Sequence, residues 1–251
     1  MIASSAIKRK TMTAQAALPD VARVFHGDSW EKANIIPRGH LSDTKYTGDI
    51  MKDFQQFLFR QGGGLSDSLK DPICWATSKG KYLYDDNGNH IINWNAFAPK
   101  PHKDGKRYHT SNDITWILYS SPSIYKAMGY TPTSEDFYNM TDERHTDIAM
   151  YHYNYSACTE SVPVNIVLAY SFWGSGPGGL NSLKSAFTKC FKGDVNAILA
   201  TKGEYFVFEA LLEVRQAMMK KRNPLSWPTN GRGWSNGLAQ FHRVFKHYTK
   251  N

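Results

Sequence analysis

One stretch of the sequence decides the predicted fold: AMYHYNYSA, residues 149–157. Small or aromatic side chains occupy every second position of this stretch, and mostly polar side chains stand between them. Since the side chains of a β-strand point alternately to its two faces, this period of two predicts a strand with a ladder of tyrosines on one face. The apolar segment that follows, residues 164–172, predicts a central strand that is buried on both faces.

The flanking segments complete an α+β prediction. A β-hairpin is expected where two apolar runs, residues 81–84 and 90–94, flank a turn at Asn87-Gly88. A further short strand is expected at residues 114–119. This order predicts an antiparallel sheet or β-sandwich with helices packed on it. Helical spacing of apolar residues predicts a helix at residues 48–61. Further helices are predicted at residues 180–191, at residues 204–222, where Asn223-Pro224 ends the helix, and at residues 238–248.

The chain is predicted to form one domain over residues 26–251, preceded by an arm over residues 1–25. The start of this arm is small and polar and carries a basic cluster, Lys8, Arg9 and Lys10. No internal repeat and no low-complexity linker divides the rest of the chain. We therefore expect the arm to lie outside the core.

Composition excludes several classes of protein. Hydrophobic residues make up 41% of the 251 residues, more than disordered chains or small disulfide scaffolds contain. The longest apolar stretch, residues 162–173, is too short to span a bilayer, and no apolar segment of signal-peptide length follows the basic cluster. The cysteines are widely spaced, which favours a reducing compartment and argues against a thiolate metal site. We therefore expect a cytosolic protein without a membrane partner.

Charge and tyrosine content together predict a response to alkaline pH. The formal net charge is +8 at pH 7, and the chain holds 14 tyrosines. Tyr and Lys have ordinary pKa values of about 10 and 10.4, so above roughly pH 11 the chain would lose its lysine charges and gain phenolate charges. A dense assembly of such chains would then be driven apart by repulsion between like charges.

No residue pattern predicts an enzyme, a metal site or a cofactor site. Residues 38–41 resemble part of the Asp-Arg-Gly-His motif of the ββα-metal nucleases, whose His is a general base. However, Pro37 replaces the Asp, and no Asn stands at that family's spacing from His40. The glycine-rich stretch 174–179 lacks the Lys that a phosphate-binding P-loop requires after its last glycine. Two histidine pairs also lack the spacing of a zinc site: His102 with His109, and His242 with His247.

A resemblance to a known family begins at RYHTSN, residues 107–112, and continues through the expected strand at 114–119 to SPS, residues 121–123. Cypovirus polyhedrins have a similar basic-aromatic-His-polar run before a strand that ends in Ser-Pro-Ser. The resemblance extends patchily over residues 107–240, a little over half of the chain. It resumes at residues 151–153, 164–170, 204–216 and 233–239.

This resemblance implies a structural protein and not an enzyme. Polyhedrins have a β-sandwich core and an N-terminal helical arm that reaches into neighbouring molecules. Their trimers pack into crystals, the viral occlusion bodies, which embed virus particles in the cytoplasm of infected insect cells and dissolve in the alkaline larval midgut. By this resemblance the chain would be a divergent member that binds copies of itself and virus particles and requires no cofactor. Some members trap nucleotides between subunits, but no position for one can be assigned in this sequence.

The resemblance and the alkaline-pH argument lead to one hypothesis about specific residues. Phenols that are buried or lie at contacts would hold an assembly together while protonated and release it when ionised. The candidates for this alkaline switch are Tyr82, Tyr84, Tyr151, Tyr153 and Tyr155. The candidates for assembly contacts through the arm are Lys8, Arg9 and Lys10.

Two other functions stay open on the sequence. A basic capsid or nucleocapsid protein would bind nucleic acid through the arm cluster and through residues 220–222. A metal-dependent nuclease would use His40 as its base. The first predicts salt-sensitive binding and the second predicts divalent-dependent cleavage, whereas nucleic acid is not an expected partner of an occlusion-body protein.

Overall fold

The computed structural model describes most of the chain after residue 45, namely residues 46–61, 64–66, 87, 94–222 and 227–249. These residues are 71% helical and only 4% strand. The predicted antiparallel β-sandwich core is therefore wrong. The predicted arm, residues 1–25, and most of the predicted hairpin at residues 81–94 lie outside the described residues.

Helices dominate the described part of the chain, with a short 3₁₀ helix at Trp94–Ala96. The strands form one small antiparallel sheet in the order β1-β2-β3. They are β1 (Leu65–Ser66), β2 (Thr110–Ser111) and β3 (Ile114–Thr115). The helices are α1 (Ile50–Gln61), α2 (Trp116–Tyr119), α3 (Pro122–Met128), α4 (Ser134–Tyr138), α5 (Asp142–Ser156), α6 (Val162–Phe191), α7 (Val195–Lys202), α8 (Glu204–Arg222) and α9 (Trp227–Thr249).

The stretch that decided the fold prediction is helical, since α5 continues to Ser156. Its buried positions recur every three or four residues, which is the spacing of one helix face. Polar side chains hold several of these positions, so hydrophobic residues alone did not reveal the helical period. The alternating tyrosines fall on other faces, and Tyr155 is 53% exposed. The buried positions are His145, Ile148, Ala149, His152 and Ser156.

The predicted central strand at residues 164–172 is instead the first part of α6. The helix begins after Ser161, whose hydroxyl accepts a hydrogen bond from the Val164 N–H at 3.2 Å. Pro163 lies in the first turn, where its missing N–H costs no helical hydrogen bond. Residues 164–169 are all buried. A helix that is buried on all sides shows a continuous apolar run, which periodicity does not distinguish from a buried strand.

The strand predicted at residues 114–119 is correct only for its first two residues, which form β3. Thr115 then caps α2, because its hydroxyl accepts a hydrogen bond from the Leu118 N–H at 3.3 Å. A turn of two residues, Asn112 and Asp113, joins β2 to β3. Both have positive φ angles, 46° and 67°, as the tightest hairpin turns require.

Two helix predictions are confirmed: α1 was predicted at residues 48–61 and α8 at residues 204–222. The other two, residues 180–191 and 238–248, are the C-terminal parts of the longer helices α6 and α9. The prediction of α1 rests on an apolar face at helical spacing, a pattern that depends only on local sequence, whereas residues 210–216 of α8 are all buried.

Helix α6 is kinked within its glycine-rich segment. Gly176 has a φ of 62° and a ψ of −165°, a conformation that residues with a Cβ rarely adopt. Pro177 follows and has no N–H with which to continue the hydrogen-bond ladder. The glycine-rich stretch at residues 174–179 is therefore a kink inside one helix.

The chain divides into two compact units. Among the described residues, the first unit contains residues 46–54 and 152–249, and the second contains residues 55–151. The single domain predicted over residues 26–251 stays a prediction.

The core of the first unit is formed by side chains of α6, α8 and α9. The ring centroids of Phe208 and Phe245 are 4.2 Å apart, and those of Tyr170 and Phe241 are 4.4 Å apart. Burial of a side chain of this size contributes roughly 1.5–3 kcal/mol to stability. Fully buried apolar residues of these helices include Val164, Val167, Leu168, Leu183, Phe187, Val207, Phe208, Leu211, Leu212, Leu238, Phe241 and Phe245.

Asn165 ties the start of α6 to the loop that precedes it. Its side chain is only 3% exposed. Its Oδ1 accepts hydrogen bonds from the backbone N–H groups of Cys158 and Thr159, at 3.1 and 3.2 Å. Its Nδ2 donates to the Thr159 carbonyl at 2.8 Å. One buried amide therefore satisfies the polar backbone of a turn that lies against the core.

Asn165→Ala is expected to lower the free energy of unfolding by about 2–4 kcal/mol, because it leaves buried backbone donors and an acceptor without their partner. Urea denaturation followed by circular dichroism measures this change. Asn154→Ala, at an exposed position of α5, is the control and should stay within about 0.5 kcal/mol of the wild type. Equal losses in both variants would contradict the role given to Asn165.

The second unit packs aromatic side chains around Phe137. The Trp116 ring meets Phe137 edge-on at 5.3 Å, and the Tyr119 ring lies 5.4 Å from it. The Tyr130 hydroxyl donates a hydrogen bond to the Tyr119 carbonyl at 2.6 Å. Burial raises the pKa of Tyr119 to about 12 and also raises the pKa of Tyr130. Both phenols therefore resist ionisation in the folded protein.

Tyr130→Phe is expected to cost about 0.5–1.5 kcal/mol at pH 7, because one hydrogen bond is lost. A raised folded-state pKa contributes stability that is complete below the unfolded value of about 10 and is lost as pH rises further. The wild type should therefore lose stability more steeply than Tyr130→Phe between about pH 10 and 12. Urea denaturation at several pH values measures both slopes. Tyr125→Phe is the control, and slopes that match in wild type and Tyr130→Phe would refute the argument.

Candidate functional site

An exposed loop of the second unit concentrates aromatic and basic side chains. We name Trp94, Lys100, Lys103, Lys106 and Arg107 the aromatic–basic surface. Trp94 is 53% exposed, and the three lysines are exposed as well. The loop lies between the 3₁₀ helix and β2, so regular structure holds both of its ends.

Backbone hydrogen bonds fold this loop back on itself. The Ala98 N–H donates to the Tyr108 carbonyl at 3.0 Å, and the His102 N–H donates to the Lys106 carbonyl at 2.8 Å. The turn between them closes with a hydrogen bond from the Gly105 N–H to the His102 carbonyl at 2.8 Å. Gly105 has a φ of 79°, which a glycine adopts without strain.

Asp104 organises the turn with its carboxylate. Its Oδ1 accepts from the Lys106 N–H at 2.9 Å and lies 3.3 Å from His102 Nδ1, while its Oδ2 accepts from the Tyr108 hydroxyl. The hydrogen bond from Tyr108, followed by the one from the Lys106 N–H, lowers the pKa of Asp104 to about 2. Both carboxylate oxygens are therefore occupied within the loop.

Helix α4 holds the loop from outside. The Lys100 N–H donates to Ser134 Oγ at 2.9 Å, and the Tyr138 hydroxyl donates to the Lys100 carbonyl at 2.6 Å. The Tyr138 ring also packs edge-on against His102 and Tyr108, with centroids 5.3 and 5.9 Å away. Burial raises the pKa of Tyr138, so this anchor persists at neutral pH.

Arg107 is fixed beside the exposed indole. Its Nε donates to the Ala98 carbonyl at 2.7 Å, and its Nη2 donates to the Trp94 carbonyl at 3.0 Å. The guanidinium carbon then lies 5.0 Å from the centre of the Trp94 ring, within the range of a cation–π interaction. The neighbouring His109 adds no positive charge at pH 7, because burial lowers its pKa to about 4.

A second polar cluster lies inside the first unit, between α8 and α9. The Nε2 of His242 is 2.9 Å from Glu209 Oε1. Glu213, one turn further along α8, is 6% exposed. Burial, followed by the nearby charge of Glu209, raises the pKa of Glu213 to about 8. A buried neutral carboxyl can act as a general acid, but these carboxyls share one helix and do not face each other across a cleft, so we assign them an effect on stability.

The tyrosines predicted as an alkaline switch do not form a ladder, because successive members lie about 200° apart around a helix. The Tyr151 hydroxyl donates to the Ser123 carbonyl at 3.1 Å. The Tyr155 ring packs 4.7 Å from Phe172, and the Tyr153 hydroxyl accepts a hydrogen bond from the Asn165 amide at 3.5 Å. Their role in assembly stays a prediction. The other candidates lie outside the described residues: Tyr82, Tyr84, Lys8, Arg9, Lys10 and His40.

Sequence reasoning missed the aromatic–basic surface. Its lysines and arginine are separated by other residues, so no compact basic run marks them, although four cationic residues fall within residues 100–107. That density next to Trp94 was the available signal. The basic run that the sequence did suggest, residues 220–222, is exposed at the C-terminal end of α8 in the first unit.

Comparisons with protein families, curated proteins and solved structures give no match to this chain. The resemblance to cypovirus polyhedrins therefore stays a prediction. Across the residues that the structure describes, no group of three or more His, Cys, Asp or Glu residues could hold a metal ion. None of the described helices combines the length and the apolar character that crossing a membrane requires.

Glu213→Gln is expected to flatten the pH dependence of stability. The pKa of Glu213 is about 8 in the folded protein against an ordinary 4.5, so its stabilisation is complete below about pH 4.5 and is lost as pH rises through 8. The wild type should lose on the order of a few kcal/mol over this range. Urea denaturation at pH 5 and pH 8 measures the loss.

Glu143→Gln is the matched control, because Glu143 is an exposed carboxylate on α5. It should retain the wild-type slope of stability against pH. Glu209 and His242 belong to the same cluster and remain in both variants. If Glu213→Gln and the wild type changed equally between the two pH values, the buried carboxyl would not be the titrating group.

Proposed function

We propose that the chain binds single-stranded nucleic acid through the aromatic–basic surface. The observation that carries this proposal is Trp94, an indole that is 53% exposed beside a guanidinium held in place. Every nucleobase has a flat π face, so stacking on such a ring requires no particular sequence. Arg107 adds a planar cation that binds phosphates in a bidentate geometry and also stacks on bases.

The charges of the surface fit a phosphate backbone. Lys100, Lys103 and Lys106 are exposed, and the carboxylate among them, Asp104, is occupied by donors of its own loop. An approaching strand would therefore meet more positive than negative charge. Neutralising three or four phosphates predicts that log K falls against log salt concentration with a slope of about −2 to −3.

The loop is organised before any ligand arrives, which supports a binding function. Its backbone is held by its own turn and by Ser134 and Tyr138 of α4. Ordering a flexible loop on binding would cost free energy that would be subtracted from the affinity. Only the ends of the lysine side chains remain to be ordered here.

The occlusion-body matrix function, the absence of enzymatic activity and the cytoplasmic location stay predictions. Among the described residues no contact bears on a crystal lattice or on a virus particle, and the β-sandwich that the resemblance implied is not the fold. Tyrosines with raised pKa values predict alkaline unfolding under any function, so they do not favour this one.

Trp94→Ala is expected to weaken binding to a single strand of about 20 nucleotides by roughly 5- to 100-fold, since loss of one stacked base costs about 1–3 kcal/mol. Fluorescence anisotropy at low salt, with labelled DNA and RNA strands, measures the affinity. Trp94→Phe keeps an aromatic ring and should lose less. Circular dichroism checks that each variant is folded.

The triple variant K100A/K103A/K106A is expected to lower the slope of log K against log salt by about 2, because roughly three phosphate contacts are removed. The control K52A/K126A/K189A removes three exposed lysines elsewhere and should leave the slope unchanged. Unchanged affinity in both Trp94→Ala and the triple variant would exclude this surface. If only K220A/K221A/R222A lost binding, the nucleic-acid site would lie at the C-terminal end of α8 instead.

A further inference from the structure

Arg215 is a buried cation that forms no ion pair with the carboxylates of the described residues. It lies on α8 in the core of the first unit and is 8% exposed. Its Nη1 donates to Ser171 Oγ at 2.7 Å, while its Nε is buried and has no hydrogen-bond partner. Throughout the described residues, no carboxylate lies within ion-pair distance of its guanidinium.

The surroundings of Arg215 compensate its charge only in part. The Tyr170 ring centre lies 4.5 Å from the guanidinium carbon, which gives a cation–π interaction. Burial lowers the pKa of Arg215 from its ordinary value, and a hydrogen bond to the Tyr170 hydroxyl opposes this shift. Arg222, two turns further along α8, adds positive potential. An arginine nevertheless stays charged in proteins. A buried ion of this kind is stabilised by an opposite charge that pairs with it.

Ser171 connects this cation to the kink of α6. The Ser171 hydroxyl, which accepts the hydrogen bond from Arg215, donates to the Gly179 carbonyl at 3.4 Å. Gly176 is buried, yet a Cβ added to it would meet no atom within 4 Å. Open space therefore lies beside Gly176, in the same kink whose Gly179 carbonyl binds Ser171.

The kink also has the polarity that an anion needs. The second part of α6 starts at Pro177 and continues to Phe191, so the partial positive charge of a helix N-terminus arises at the kink. Backbone N–H groups at such a position bind oxyanions. The guanidinium and the helix start supply donors and positive potential of the kind that phosphate and carboxylate groups bind.

We propose that Arg215 and the kink of α6 bind an oxyanion, a phosphate or carboxylate group of a small ligand. This site lies in the first unit and is independent of the aromatic–basic surface in the second. The ligand completes the charge balance of the core, so it stabilises the folded chain in proportion to its concentration.

The test is the thermal unfolding temperature of the full chain in sodium phosphate, sodium acetate and sodium chloride at equal ionic strength. The wild type should unfold at a higher temperature in phosphate or acetate than in chloride, and the better of the two anions identifies the group. Titration calorimetry with inorganic phosphate and with acetate measures the affinity directly. Equal unfolding temperatures in all three salts, with no heat of binding, would overturn the proposal.

Arg215→Met separates this site from other anion sites. Methionine keeps much of the volume without the charge, and such replacements of buried ions often preserve the fold. This variant should unfold at the same temperature in phosphate or acetate as in chloride. Arg215→Lys keeps the positive charge but lacks the planar guanidinium with its paired N–H donors, so it should bind the oxyanion at least 10-fold more weakly. If Arg215→Met still unfolded at a higher temperature in the oxyanion salts than in chloride, the proposal would be overturned. It would also be overturned if K100A/K103A/K106A lost that temperature difference.

Discussion

Burial of the first half of α6 is the constraint on which the first unit depends. Residues 164–169 are buried, so α8 and α9 have to cover this helix, and their packing faces are set by that requirement. Polar side chains in the buried segment must then be satisfied within the protein. Asn165 binds the backbone of the preceding loop, and Ser171 accepts a hydrogen bond from Arg215.

The same core holds two ionisable groups in opposite states. Burial and the neighbouring Glu209 raise the pKa of Glu213 to about 8, so this carboxyl is mostly protonated at neutral pH and avoids the cost of a buried charge. Arg215 lies two residues away and cannot lose its proton in this pH range. Its charge has to be balanced from outside the side chain, first by the Tyr170 ring and, in our proposal, by a bound oxyanion.

The second unit uses its small aromatic core to hold a loop. Phe137 and Tyr138 belong to one short helix, α4, in which Phe137 packs into the core and Tyr138 binds the carbonyl of Lys100. A rigid backbone allows the lysines and Trp94 to be exposed without disorder of the loop. Packing in the core and preorganisation of the candidate surface therefore depend on the same helix.

Local patterns in the sequence were sufficient for α1, because an apolar face at helical spacing needs no information about neighbours, and for the end of α8, because Asn223-Pro224 follows it. They failed for α5, whose buried face carries His145, His152 and Ser156, and for the start of α6, which is apolar on all sides. In both cases the helix is defined by the partners that cover it.

The candidate site was not predicted from the sequence for a related reason. The sequence contains its cations and its tryptophan, but the contact of Trp94 with Arg107 spans 13 residues and that of Lys100 with Tyr138 spans 38. Contacts between distant residues form only when the chain folds, so tertiary structure alone decided which side chains meet there.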